Sequence, residues 1–167
     1  MVRVSVTRVL GYFEGVNGFR VLIFSAIPRE ILWCMRTVLI TLGTTSIGLA
    51  GLFHVYVFQL ESITWRKPKT WKAFGIRSQE DADTIQPMAF NQGFYNLFLA
   101  LGVAAGLVAL VSNSTIGFTL LVSAALSMIG AGTVLLISVE KSLRAAVLQA
   151  GPPLIGIVLL LIGFAVS

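Results

Sequence analysis

The chain has 167 residues, of which 56% are hydrophobic and only 11% are charged. Soluble domains carry about 25% charged residues, so this composition excludes a water-facing globular surface and predicts an integral membrane protein. The net charge of +5 comes from flanks and loops, which suits anionic lipid head groups rather than nucleic acid. One cysteine and one histidine exclude an internal disulfide and disfavour a structural metal site, which needs four ligands. We therefore expect no metal and no cofactor.

Residues 1–36 form the first predicted segment, a peripheral arm ahead of the membrane domain. All its basic residues are arginines, with two acids, Glu14 and Glu30, a composition that resembles a mitochondrial targeting segment. Pro28 is suited to open a helix that continues into the first span. Two interpretations stay open: the arginines bind anionic lipid or a neighbouring subunit, or they are an ordinary polar tail that snorkels to the interface.

Residues 37–167 hold four apolar stretches, each long enough for a membrane helix of about 20 residues. They run from 37 to about 64, 87 to 111, 116 to 139 and 143 to 166. No strand pattern is present, and helices are then the only structure able to span. The predicted fold is all-α, an integral membrane bundle of four transmembrane helices with an Arg-rich N-terminal arm.

The loops between these spans differ in charge. The first contains WRKPKTWKAFGIRSQEDAD and the third EKSLR, whereas the second is the uncharged SNST. The positive-inside rule therefore favours loops one and three in the cytoplasm or matrix. Trp65 and Trp71 suit an aromatic belt at the interface. The basic run is either a solvated loop or a head-group patch, and the residues predicted to contact head groups are Arg20, Arg29, Arg36, Arg66, Lys67 and Lys69.

Polar residues gather toward loops one and three. Helical spacing places His54 and Glu61 on one stripe of the first span. The second span opens with MAFNQGFYNLFLALG, whose polar residues we expect to meet the first span. Ser138, Glu140 and Arg144 belong to the same end. The prediction is a one-sided polar cup above a plug of Gly, Ala and Leu, formed by His54, Tyr56, Glu61, Asn91, Gln92, Tyr95, Asn96 and Gln149.

Each part of this cup has two interpretations. His54 and Glu61 are either a proton-handling pair or include a buried histidine that bonds to Asn or Tyr of the second span. About 10 Å along the helix axis separates them, which argues against direct contact. The amides either bind the polar head of a quinone, lipid or sterol, or join helices at about 1 kcal/mol each.

Three sequence segments resemble a known family: FHVYVFQLESITW, AFNQGFYNLFLALG and QAGPPLIG. They resemble the small four-helix membrane proteins catalogued as domain of unknown function 1304, over about residues 40–164. Every predicted cup residue, together with Trp65, matches the family pattern. Many members carry an acid directly before the histidine, where this chain has Phe53. The resemblance implies the fold and brings no established activity.

Catalytic signatures such as the P-loop, GxGxxG, GxSxG and HExxH are absent from the sequence. His54 and Glu61 are the only catalytic candidates. We expect a non-catalytic accessory or assembly subunit of a larger membrane complex, in a respiratory membrane of the mitochondrial inner or bacterial cytoplasmic type. The alternative is a lipid- or quinone-binding or -modifying enzyme using the cup around His54. A small transporter that dimerises through Gly102 and Gly106 is disfavoured by the apolar plug.

Overall fold

The computed structural model describes residues 27–139 and 142–166. Two predicted residues, Arg20 and Glu140, lie outside them, as does most of the predicted arm. The helices are α1 (Arg29–Phe58), a π-helical turn (Gln59–Ile63), α2 (Pro68–Ala73), α3 (Gln79–Ser112), α4 (Ser114–Ser138) and α5 (Leu143–Ala165). Helix α1 with its π turn, α3, α4 and α5 are each long and apolar enough to cross a membrane. The predicted all-α bundle of four membrane-crossing helices is confirmed.

Helix α1 begins directly after Pro28 and continues into the first span, as predicted. One helix start differs from its predicted position. Helix α3 begins at Gln79 rather than near Pro87, because Ser78 Oγ accepts the Asp81 N–H at 3.0 Å and caps the helix. Its 34 residues extend about 51 Å at 1.5 Å per residue. This exceeds the roughly 30 Å hydrocarbon thickness, so the first turns of α3 project beyond it.

Small residues bring the helices together in a ring in which α1 packs against α3 and α5, and α4 packs against the same two. A Cβ on Gly156 would lie 2.9 Å from the Gly43 carbonyl oxygen, and one on Gly106 only 2.9 Å from Leu121. Gly102 faces Ala124 at ordinary contact distance. The GxxxG pair is therefore used inside the bundle, between α3 and α4. The buried core comprises Ile47, Ala50, Val103, Leu121, Ala124, Ala125, Met128 and Leu160.

Loop one folds into a compact cap over one end of the bundle. Trp65 and Trp71 are 5% and 4% exposed and pack with Ala82 and Ala89. Trp65 Nε1 donates to the Ala82 carbonyl at 2.9 Å. The expected aromatic belt is wrong for both residues, because the projecting start of α3 provides a protein surface that buries them.

Candidate functional site

The π turn at the end of α1 positions the first site residue. The Thr64 N–H donates to the Gln59 carbonyl, five residues back, at 2.9 Å. Such turns insert an extra residue into a helix and recur at functional sites. Glu61 lies in the middle of this turn and is only 9% exposed.

Helix α3 contacts the π turn at Gly93. A side chain there would collide with Ser62 Oγ and would lie 3.2 Å from Glu61 Cβ. Ser62 Oγ donates to the Phe90 carbonyl at 2.8 Å. Glycine is therefore needed at position 93 for the two backbones to approach, and this approach fixes Glu61 against α3.

Asn96 is the polar partner of Glu61. Its Nδ2 donates to Glu61 Oε2 at 2.9 Å and to the Gln92 carbonyl at 3.1 Å. Asn96 is itself buried. No ion pair to Glu61 is seen within residues 27–139 and 142–166, so its interaction with the protein there is a hydrogen bond from a neutral amide. A carboxyl group buried with one neutral donor is costly and is a functional-site candidate.

His54 lies deeper in the bundle and is fully buried. Its level falls between the Gly51–Val103 contact and the Glu61–Gly93 contact, in the half of the Arg29–Ile63 segment that leads to loop one. Nδ1 lies 2.8 Å from the Ala50 carbonyl oxygen, and a carbonyl can only accept, so Nδ1 carries the hydrogen. Nε2 is buried and has no hydrogen-bond partner. The structure thus does not support a histidine satisfied by Asn or Tyr of the second span.

Four predicted cup residues face outward. Tyr56, Asn91, Gln92 and Tyr95 are exposed. The expectation that Asn91, Gln92 and Tyr95 meet the first span is wrong. Among the polar residues of this stretch, Asn96 is the one whose side chain bonds to the first membrane-crossing segment, at Glu61. Helical periodicity could not reveal this, because it groups residues on a face without naming the neighbour that covers that face.

That face of α3 points toward α4. Gly102 and Gly106 contact α4 at Ala124 and Leu121. Tyr95 lies seven residues before Gly102, and Gln92 lies fourteen residues before Gly106, so both belong to the same stripe of α3. Both side chains are exposed in the bundle. Gly132 of α4 packs against α5, and residues 133–139 are exposed apart from half-buried Leu135.

Asn91, Gln92 and Tyr95 form an exposed polar face of α3 that we call the cleft. Asn96 connects it to Glu61, since it bonds both to the Gln92 carbonyl and to the Glu61 carboxyl group. The cleft lies toward the end of the bundle near loop one, at the fourth and fifth turns of α3. A polar face at this position can receive the head of an amphipathic molecule whose tail stays in lipid.

Helix α5 has an irregular segment that packs against α1 near Ser46. Pro152 and Pro153 lie inside α5 and lack N–H groups, so the carbonyls of Leu148 and Gln149 do not receive their usual helical hydrogen bonds. The Gln149 side chain is half-buried. Ser46 Oγ donates to the Pro152 carbonyl at 2.8 Å and ties α1 to this irregular segment.

The predicted head-group contacts lie at opposite ends of the bundle. Arg66, Lys67 and Lys69 are exposed on the cap, as is Arg29 at the start of α1. Arg36 is half-buried, and its Nε atom has no hydrogen-bond partner among the described residues. The cap residues and Arg29 thus lie at opposite ends of the membrane-crossing helices, and their contact with head groups stays a prediction.

Comparison with protein families matches residues 48–161 to the family described as protein of unknown function (DUF1304). The chain belongs to this family. The DUF1304 match covers His54, the π turn, the cleft and the proline pair of α5, and it excludes the first half of α1. Comparisons with curated proteins and with solved structures give no match.

Proposed function

We propose that this DUF1304 protein binds an amphipathic membrane molecule, a lipid or a quinone-type molecule, by its polar head in the cleft and without catalysis. The observation that carries the proposal is the uncovered stripe of Gln92 and Tyr95, which adjoins the buried Asn96–Glu61 pair. Interhelical polar groups in membranes normally bond to a neighbouring helix. No hydrogen bond of the Gln92 or Tyr95 side chain is seen within residues 27–139 and 142–166, so a bound molecule takes the place of the missing helix contact.

The apolar half of such a molecule would lie along exposed side chains beside the cleft. Met88 on α3 is 73% exposed, and Ile137 and Val134 on α4 are 81% and 63% exposed. These surfaces match acyl or isoprenoid chains.

Two tyrosines with the same exposure allow a matched test. Tyr95 lies in the cleft and is 55% exposed, whereas Tyr56 lies outside it on α1 and is 54% exposed. We expect Tyr95→Leu to lower the amount of bound molecule that co-purifies in mild detergent by about fivefold. This corresponds to the loss of one hydrogen bond of about 1 kcal/mol. Native mass spectrometry and solvent extraction measure the bound amount. Tyr56→Leu should leave it unchanged. Equal retention in the two variants and the wild type would contradict the proposal.

A second candidate is the role of accessory subunit in a larger membrane complex, such as a respiratory complex of the mitochondrial inner or bacterial cytoplasmic membrane. It is favoured by an apolar groove of about 480 Å³ on the outer side of α1 and α3. Gly48, Gly51, Ala100 and Ala104 line this groove, and small residues of this kind allow close approach of a transmembrane helix from a partner.

The groove candidate has its own test. Replacing Gly48 with Leu fills the groove from a position where an added Cβ touches only Leu107, at 3.7 Å. We expect a subunit to lose its partner in the Gly48→Leu variant and to move from a high-mass band to its own mass on a native gel. A wild-type protein that already migrates alone would rule this candidate out.

A further inference from the structure

His54 is a buried hydrogen-bond acceptor that the described residues leave unused. Its Nδ1 hydrogen is donated to Ala50, so the neutral ring presents a lone pair at Nε2, and that atom is buried without a partner. Leaving a buried polar atom unpaired is costly, and such atoms normally have a water or ligand partner. The missing partner must be a donor, an O–H or N–H group.

We propose that the molecule bound at the cleft is an uncharged, hydroxyl-bearing molecule with an apolar body, a quinol or a sterol, and that its hydroxyl donates to His54 Nε2. This deepens the proposed function and rests on it. A quinone or a keto-sterol offers only acceptors and cannot satisfy Nε2. The protein should therefore distinguish a hydroxyl from a carbonyl on otherwise similar molecules.

The surroundings of His54 agree with an uncharged donor. The nearest acidic side chain along the chain is Glu61, in the π turn that follows α1; its carboxyl group accepts from Asn96 and disfavours an anionic head. The irregular segment of α5 leaves the carbonyls of Leu148 and Gln149 without their usual helical hydrogen bonds. The available groups are therefore acceptors, and hydroxyl hydrogens are the groups that find partners.

Depth also constrains the ligand. His54 lies about 10 Å farther into the bundle than Glu61 along the axis of α1. The hydroxyl must therefore belong to a narrow, mostly apolar body that passes between helices. A bulky phospholipid head does not meet this requirement, whereas a ring system with a terminal hydroxyl does.

The single histidine of the sequence gives a direct measurement. The full-length chain, prepared without a histidine tag and labelled with ¹⁵N-histidine in lipid nanodiscs, shows the imidazole nitrogens of one residue. We expect decylubiquinol under anaerobic conditions, or cholesterol, to shift the Nε2 resonance in the direction of an accepted hydrogen bond. Decylubiquinone and cholestenone are the matched carbonyl controls and should produce no shift. A shift with decylubiquinol identifies the ligand as a quinol, and a shift with cholesterol identifies it as a sterol.

Three results would overturn the inference. The first is an Nε2 resonance that does not respond to either hydroxyl compound. The second is an equal response to the carbonyl controls. The third is an Nε2 resonance that already shows a hydrogen bond in ligand-free nanodiscs and does not change when the compounds are added. In that case the partner of Nε2 is an internal water.

Two substitutions at His54 provide an independent test. Gln places an amide oxygen near the position of Nε2, whereas Asn reaches only the position of Nδ1. We expect His54→Asn to weaken binding of the effective hydroxyl compound about tenfold and His54→Gln to weaken it less. If Tyr95→Leu reduces binding and His54→Asn does not, the cleft is a binding site and the role of His54 is wrong. If neither reduces it, the proposed function itself fails.

Discussion

The two ends of the bundle differ in how regular their helices are and in where the polar residues lie. Away from loop one, glycines let α1 meet α5 and α3 meet α4 at backbone distance, as at Gly43–Gly156 and Gly117–Leu110. Toward loop one the helices also meet closely, at Gly93 and Gly132, but a π turn and a proline-interrupted α5 break the regular helices, and the polar residues collect there. The comparison indicates that one end consists of regular, closely packed apolar helices, whereas the end near loop one combines close contacts with buried polar groups and an exposed polar face.

The largest effect that tests this division is expected at Gly156. An added Cβ would lie 2.9 Å from the Gly43 carbonyl oxygen and 2.5 Å from Ile47, so α1 and α5 must separate. We expect Gly156→Ala to lower the free energy of unfolding by about 3 kcal/mol, as overpacking of a tight contact does, measured by SDS titration of the purified protein. Gly130→Ala is the matched control, because nothing lies within 4 Å of its added Cβ. Equal effects of the two substitutions would show that the glycine contacts are not what stabilises this end.

A smaller effect is expected at the polar end from Asn96→Leu. This substitution removes the donor to Glu61 and leaves a buried carboxyl oxygen unpaired, at a cost of about 2 kcal/mol. Adding Glu61→Gln should recover part of this loss, because an uncharged amide is less costly to bury. The measurement is a double-mutant cycle on the unfolding free energy. Strictly additive effects would mean that the two side chains do not interact.

The smallest effect is expected from Ser62→Ala. The hydroxyl donates to the Phe90 carbonyl at 2.8 Å, and its loss should cost about 1 kcal/mol. The substitution keeps the small size that Gly93 requires of its neighbour. Hydrogen exchange at the amides of Gln59–Ile63 should increase if this bond holds the π turn against α3. Unchanged exchange there would show that the turn is stable without α3.

The sequence was sufficient to predict the four membrane-crossing helices, because long uncharged apolar runs have few other structures available. It also predicted that His54 and Glu61 share a stripe of α1. The direction of the Gln92–Tyr95 stripe was not predictable, since periodicity shows a face and not its neighbour. The π turn has no sequence signature that we used, and the burial of Trp65 and Trp71 depended on how far α3 extends beyond the membrane.

The central claim is that the cleft holds a specific molecule while other exposed surfaces meet bulk lipid. A photoreactive phenylalanine analogue placed at position 95, and separately at position 56, tests it directly in native membranes, since the two tyrosines are equally exposed. The account predicts that the probe at 95 captures one hydroxyl-bearing species far above its share of the membrane, while the probe at 56 captures lipids in their bulk proportions. The same bulk mixture at both positions would contradict it.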